Sequence, residues 1–113
     1  MVKEIIKVWD ETSSKKDIYK MTHTNTALSI KELEDSTNIT PINFILYTDV
    51  NAKGEENEVL AILDAEGCIY TTISATFKTA FFEMVDNFEM DFTFEKISGV
   101  TKAGREFVTC QLA

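Results

Sequence analysis

The feature that most constrains this chain is an amphipathic helix, Ser74–Phe88, placed between two groups of strands. Its apolar residues recur at spacings of three and four and so form one stripe: Phe77, Ala80, Phe81, Met84, Val85 and Phe88. Ser74 is a residue type that caps helix N-termini by accepting a backbone N–H. Because such a stripe is typical of core contact, we interpret the helix as a plug for one end of a β-structure rather than a cofactor site.

Strands flank this helix on both sides. Three precede it as a meander: Asn38–Val50, Glu58–Leu63 and Cys68–Ile73. Two follow it, Phe92–Ser98 and Glu106–Leu112, joined by the glycine-containing turn Thr101–Arg105. At 113 residues, 44% of them hydrophobic, the chain can bury one core. The order predicts a mostly β protein with one main helix, folded as a five-stranded barrel of the oligonucleotide/oligosaccharide-binding (OB) type with the helix between strands 3 and 4.

Local signals refine the meander. Pro41 lacks a backbone donor, so its strand is expected to lie at an edge or to carry a bulge. The turns Asn51–Gly54 and Asp64–Gly67 separate the strands. Glu58–Leu63 is nearly all apolar, which predicts a strand covered on both faces.

The chain is predicted to consist of an arm and one domain. Residues 1–14 form an N-terminal arm, and residues 15–113 form the OB-fold domain. In the arm, Ile6 and Trp9 are candidates for docking on a neighbouring subunit, and a loosely ordered tail is the alternative. Asp17–His23 is predicted as a first strand and Thr26–Leu33 as a short helix or turn.

The net charge of the chain argues against nucleic-acid binding. Eleven Lys and Arg face nineteen Asp and Glu, a net charge of −8, whereas phosphate binding normally needs a basic footprint. A local basic face is still available from two groups of cations near the ends of the chain: Lys15, Lys16 and Lys20, then Lys96, Lys102 and Arg105.

Nothing in the sequence indicates catalysis. The single histidine, His23, has no serine or cysteine arrangement around it, and Cys68 and Cys110 lack partners at metal-ligand spacing. Phosphate loops, dinucleotide fingerprints and nucleophile elbows are not found. We expect a non-enzymatic cytoplasmic protein with reduced cysteines, without a metal, cofactor or small-molecule substrate. No apolar run approaches the about 20 residues that span a bilayer, so no membrane partner is expected.

Strand alternation suggests residues that could bind a single strand. In Glu106–Leu112 the apolar set Val108, Cys110 and Leu112 leaves Phe107 on the other face. Single-strand binders combine rings for base stacking with cations that follow the phosphates. The candidate set is Tyr19, Lys20, Tyr47, Tyr70, Lys96, Lys102, Arg105 and Phe107.

Four stretches carry a resemblance to a known family: Ala27–Leu33, Leu46–Glu56, Glu58–Ile62 and Ser98–Leu112. They resemble small single-stranded DNA-binding proteins of phages and conjugative plasmids of Gram-positive bacteria, and the similarity covers Thr22 to Ala113. The run Lys-Ala-Gly-Arg-Glu-Phe, Lys102–Phe107, is its most specific part. The resemblance implies an OB-fold protein that coats single-stranded DNA, without sequence preference, during replication or transfer of a mobile element.

The expected partners are therefore single-stranded DNA and further copies of the chain in a homo-oligomer, with single-stranded RNA left open. An alternative from another class is an acidic inhibitor that mimics DNA and blocks a host defence protein, which suits the charge of −8. A third is an assembly module that binds protein through its barrel face.

Overall fold

The computed structural model describes residues 4–23, 27–50 and 52–113. Its elements in chain order are β1 (Glu4–Val8), α1 (Lys15–His23), β2 (Leu28–Ser29), a 3-10 helix (Ile30–Glu32), β3 (Asn38–Ile39), β4 (Pro41–Val50), β5 (Glu56–Asp64), β6 (Ile69–Thr72), α2 (Ala75–Phe88), β7 (Phe94–Val100) and β8 (Glu106–Leu112). The mostly β composition, the meander, the long helix and the closing hairpin match the prediction.

The strands form two sheets. The larger has five strands in the order β1-β4-β5-β6-β2, antiparallel except where β2 runs parallel to β6. The smaller has three antiparallel strands in the order β3-β7-β8. Among the described residues no ladder joins β6 to β8, so the expected closed barrel is not formed and the strand count exceeds five. Where β6 ends, the Oγ atom of Ser74 instead donates to the carbonyl oxygen of Val108 in β8 at 3.0 Å.

The long strand predicted over residues 38–50 is broken near Pro41. Thr40 separates β3 from β4, and the β4–β5 register shifts between Pro41 and Asn43. This irregularity is the bulge that the proline predicted, because proline cannot donate to a ladder. It carries the chain from the small sheet to the large one.

The main core lies between α2 and the inner faces of both sheets. Its centre is a group of fully buried rings: Phe44, Phe77, Phe81 and Phe94. Phe81 of α2 meets Phe44 of β4 edge-on at 5.5 Å between ring centroids, and Phe94 of β7 at 5.7 Å. The helix therefore plugs the space between the two sheets, as its stripe predicted.

The outer face of the large sheet is covered by α1. Met21 packs there with Ile45 and Tyr47 of β4 and Val59 and Ala61 of β5. The predicted burial of β5 on both faces is confirmed.

Helix α1 corrects the strand predicted over Asp17–His23. Ser14 caps it: the backbone N–H of Asp17 donates to Ser14 Oγ at 3.1 Å, and the Ser14 N–H donates to a carboxylate oxygen of Asp17 at 3.3 Å. This reciprocal pair is the capping-box arrangement that satisfies free donors at a helix start. Ile18 and Met21, three residues apart, then face the sheet.

The segment expected to be an arm outside the barrel contains β1. It pairs antiparallel with β4, from Glu4 opposite Thr48 to Val8 opposite Ile45. The ring of Trp9 lies 6.0 Å from that of Phe44 in the same chain, so Trp9 belongs to this chain's own packing. Ile6, at the register irregularity of β1, is exposed.

The described helices include none that is both long and apolar enough to cross a bilayer.

Candidate nucleic-acid interface

Two of the tyrosines predicted to stack on bases lie inside the protein. Tyr47 is 5% exposed beneath α1, and Tyr70 is 9% exposed in the main core. Burial raises the pKa of the Tyr47 phenol, with a further contribution from the negative charge of Asp49. Burial raises the pKa of Tyr70 to about 12. Tyr47 lies on a face of β4 that α1 covers, and Tyr70 lies on the face of β6 that points into the main core. Neither ring is available for stacking, so both predictions are wrong.

Lys96, predicted to contact phosphate, is also buried. Only 3% of it is exposed, and its Nζ atom donates to the carbonyl oxygen of Leu33 at 2.6 Å and to Asp35 Oδ1 at 3.2 Å. The hydroxyl of Ser98 donates to the same carboxylate oxygen at 2.7 Å. These contacts, that of Ser98 first, hold the pKa of Asp35 below its usual value. Lys96 therefore anchors the loop after the 3-10 helix to β7.

The other predicted residues on α1 are exposed. Tyr19 is 64% exposed, and its ring stacks on His23 with centroids 4.2 Å apart and planes 6° from parallel. Thr22 Oγ1 lies 2.8 Å from His23 Nδ1 and so fixes the histidine end of the stack. Lys20, the next residue after Tyr19, is exposed. The stack presents an aromatic face to solvent.

The remaining predicted residues lie on the β7–β8 hairpin. Lys102 and Arg105 are exposed in its turn, which is closed by a hydrogen bond from the N–H of Thr101 to the carbonyl of Arg105 at 2.8 Å. Phe107 is 36% exposed and sits opposite Gly99 in the ladder. A Cβ atom placed on Gly99 would overlap the Phe107 ring, with Cε1 only 2.7 Å away. The far end of the ring thus occupies the space that a side chain at position 99 would need.

Two adjoining depressions lie where β6 and β8 fail to meet. The first, of about 690 Å³, extends from His23 at the end of α1 past Asp49 and Thr71. The second, of about 630 Å³, extends along the hairpin to Phe107. Both are lined by Lys31, Ser74 and Val108, so they form one continuous surface, called the groove below.

The lining of the groove is largely neutral. It is rich in serine and threonine and carries one lysine, Lys31, one histidine, His23, and two carboxylates, Asp49 and Glu106. Ile73 and Val100 add exposed apolar surface. The exposed acids in and after α2 are not among the residues that line it: Glu83, Asp86, Glu89 and Asp91.

Sequence reasoning missed Lys31, His23 and Asp49 as residues of one surface. Lys31 lies in a 3-10 helix, His23 ends a helix predicted as a strand, and Asp49 is near the end of β4. No periodicity links them, because the pairing of β2 with β6 and the docking of α1 bring them together. Only the resemblance, whose stretches include Lys31 and Asp49, pointed to these segments.

The described residues offer one possible set of metal ligands, Asp64, Glu66 and Cys68, whose ligand atoms lie within 4.8 Å of one another. Asp64 Oδ1 already accepts the N–H groups of Glu66 at 3.0 Å and Cys68 at 2.8 Å. A side chain that closes a turn in this way explains the cluster without an ion. The other thiol, Cys110, has its pKa raised to about 12 by burial, so it is protonated and unreactive at neutral pH.

Comparison with known protein families, with curated proteins and with solved structures finds no match for this chain. The resemblance to phage and plasmid single-strand binders stays a prediction.

Proposed function

We propose that the protein binds single-stranded DNA in the groove and coats it during replication or transfer of a mobile element. The observation that carries this proposal is the arrangement of the groove: His23, on which Tyr19 stacks, lies at one end, Phe107 lies at the other, and Lys31 lines both parts. Bases stack on exposed rings and cations follow the backbone in proteins that bind single strands without sequence readout.

The strand order supports the same proposal. The order β4-β5-β6-α2-β7-β8, with β3 paired to β7, has a helix between the third and fourth long strands, as an OB-fold has. We propose that the two sheets are an OB barrel opened between β6 and β8. OB barrels are commonly partly open, and they bind ligands on the face of strands 2 and 3 and in adjoining loops. In this chain that face is β5–β6, of which α1 covers the β5 part and leaves Thr71 of β6 in the groove. The turn that holds Lys102 and Arg105 is one of those loops.

The acidic net charge fits a binder that uses few phosphate contacts. The groove offers Lys31, and the elements that end at it offer three more exposed cations: Lys20 on α1 and Lys102 and Arg105 in the β7–β8 turn. Each phosphate neutralised on a single strand contributes about −0.7 to the slope of log affinity against log salt. Four contacts predict a slope no steeper than about −3, with base stacking supplying much of the affinity.

The test is a fluorescence-anisotropy titration of a labelled mixed-sequence oligonucleotide, with duplex DNA and single-stranded RNA as comparison ligands. Phe107→Ala should weaken binding by about 5- to 150-fold, the effect of losing one stacked base. Lys31→Ala should weaken binding and make the salt slope shallower by about 0.7.

Two matched variants control for general effects of truncation. Phe88→Ala removes an exposed ring from the end of α2, and Lys7→Ala removes an exposed lysine from β1. Neither residue lines the groove, so both should bind as the unaltered protein does. Equal losses from Phe88→Ala and Phe107→Ala would contradict the proposal.

A second candidate is the acidic inhibitor that mimics DNA. It is favoured because contacts within the protein occupy two of its lysines. Lys96 is buried, and Lys78 donates to the carbonyl of Glu58 at 2.8 Å. These contacts leave the exposed surface more acidic. This function predicts no binding to the oligonucleotide at any salt concentration and tight binding to a basic DNA-binding protein. The protein-binding module instead predicts that Phe107→Ala leaves oligonucleotide affinity unchanged.

A further inference from the structure

Two hydroxyl side chains lie next to each other on the outer face of the large sheet. Ser29 of β2 and Thr71 of β6 are register partners in the parallel pair at one edge of this sheet. Partner residues on neighbouring strands share a face of the sheet, and the strands lie about 4.8 Å apart. Tyr70 lies in the main core, so Thr71, the next residue, faces the other way, into the depression that Ser29 and Thr71 both line.

Both hydroxyls are free to bind a ligand. Neither forms a hydrogen bond with any residue that the structure describes, and each residue is half-buried. In the described chain a buried side-chain oxygen without a partner occurs only at Asp49, so the hydroxyls of Ser29 and Thr71 are open to solvent. The hydroxyl of Thr72 is in use by contrast, because it accepts the N–H of Ser74 at 3.1 Å.

A cation lies near this pair of hydroxyls. Lys31 follows Ser29 by two residues, is exposed, and lines the same depression. The ion pairs between described residues involve Lys78 and Lys96, so the ammonium group of Lys31 has no carboxylate partner there. Two hydroxyls and an ammonium group can all donate hydrogen bonds. This set of donors suits a phosphate, which is an acceptor with negative charge.

The nearest acid of the groove does not oppose an anion at this position. Among the described residues that line the depression, the only carboxylate is that of Asp49. Asp49 is the register partner of Asn57 in β5, and Thr71 is the partner of Ala61, four residues further along the same strand. At about 3.3 Å per residue, the two positions are about 13 Å apart along the sheet. Exposed charges are largely screened beyond about 8 Å at physiological salt.

We propose that Ser29, Thr71 and Lys31 hold one backbone phosphate of the bound strand. This inference rests on the proposed function and assigns a phosphate site within the groove. The two hydroxyls donate to the phosphate oxygens, and the ammonium group of Lys31 neutralises the charge. His23 lines the same depression, so a base stacked on its ring and this phosphate occupy one part of the groove. Phosphate contacts position a strand and carry no sequence information, as a coating protein requires.

The test is Thr71→Val, which exchanges a hydroxyl for a methyl group and keeps a β-branched residue in β6. Oligonucleotide affinity should fall by about 2- to 10-fold, the effect of losing one net hydrogen bond, and Ser29→Ala should act alike. Because a hydroxyl is uncharged, the salt slope should not change, whereas Lys31→Ala makes it shallower. The loss should be the same factor on thymine, cytosine and adenine homopolymers, since the phosphate is common to all three.

Thr109→Val is the matched control. Thr109 is also a half-buried strand residue whose hydroxyl has no hydrogen bond within the described chain, and it lines a depression beside α2 instead of the groove. This variant should bind all three homopolymers as the unaltered protein does, and circular dichroism should show that both valine variants are folded. Combining Thr71→Val with Lys31→Ala should give less than the product of the two single losses, because both residues hold the same phosphate.

The outcomes separate this inference from the function on which it rests. If the unaltered protein binds no homopolymer, the proposed function fails and the phosphate site with it. If it binds them and both hydroxyl variants bind equally well, single-strand binding stands and the phosphate site is wrong. A loss confined to one homopolymer would place Thr71 at a base edge and overturn the assignment. Equal losses from Thr71→Val and Thr109→Val, or a full product of losses in the double variant, would also contradict it.

Discussion

Phe107 holds its place in the groove because the residue opposite has no side chain. The ring crosses Gly99, and cross-strand pairs of this kind shield the bare backbone at a glycine. In Gly99→Ala the new methyl group overlaps the ring, which must swing away. Because the ring is a partly exposed, movable group, we expect a change of less than about 1 kcal/mol in the free energy of unfolding. Oligonucleotide affinity should fall nearly as far as in Phe107→Ala.

A double-mutant cycle provides the control for this prediction. Once Phe107→Ala has removed the ring, Gly99→Ala should have no further effect on oligonucleotide affinity. A full additional loss in the double variant would show that the methyl group acts on DNA directly, and the explanation through Phe107 would be wrong. Anisotropy titrations and urea unfolding of the three variants give both quantities.

For single residues, the sequence predicted the face of the strand on which a side chain lies more reliably than it predicted whether another element packs on that face. Phe107 was placed opposite Val108 and Cys110 by alternation and is exposed as predicted. Tyr47 was predicted to stack on bases, yet α1 covers its face. Lys96 shows the same limit, since its partners Leu33 and Asp35 lie more than sixty residues away in the chain. Alternation carries no information about contacts at that distance.

At the scale of elements, Ser74 joins three parts of the structure. Its Oγ accepts the N–H of Phe77 at 3.1 Å at the start of α2 and donates to the carbonyl of Val108 in β8 at 3.0 Å, just after β6 ends. Loss of a cap costs about 1 kcal/mol, and loss of a net hydrogen bond costs a further 0.5–1.5 kcal/mol, roughly. Ser74→Ala should therefore lower the free energy of unfolding by about 1.5–2.5 kcal/mol, measured by urea denaturation.

Ser14→Ala is the matched control because the Ser14 hydroxyl caps α1 by accepting the N–H of Asp17 in that same helix. It should cost about 1 kcal/mol, the cap alone. Ser74→Thr keeps both a donor and an acceptor and should recover most of the stability. Equal losses from the two alanine variants would contradict the bridging role of Ser74.

The elements that sequence reasoning identified best are those with a long, regular pattern. Helix α2, which carries the stripe, spans 14 residues, and the strand predicted over Glu106–Leu112 has the bounds of β8. Helix α1 has only nine residues, with Ile18 and Met21 as its inward apolar side chains, too few to establish a period. Its capping pair, Ser14 and Asp17, was the available signal for a helix start.

At the scale of the whole molecule, closure was the part that could not be predicted. Hydrophobic alternation in the sequence indicates which segments are extended. Whether β6 pairs with β8 depends instead on the position of α2, which lies between them in the chain. Here the start of α2 occupies that position through Ser74 and Val108. The result is two sheets that share one core, with the groove along the line where they separate.

Because that core is shared, the two sheets should unfold together. Phe81 is fully buried and contacts Phe44 in the large sheet and Phe94 in the small one. Phe81→Ala should lower the free energy of unfolding by about 3–5 kcal/mol, as large-to-small changes in a core do. The control, Phe88→Ala, removes a more exposed ring from the same helix and should cost less than about 1 kcal/mol.

Trp9 fluorescence reports on the large sheet, beside Phe44, and far-ultraviolet circular dichroism reports on all elements. In urea the two signals should follow one transition in the unaltered protein; separate midpoints would show that the sheets are independent units and that Phe81 does not couple them.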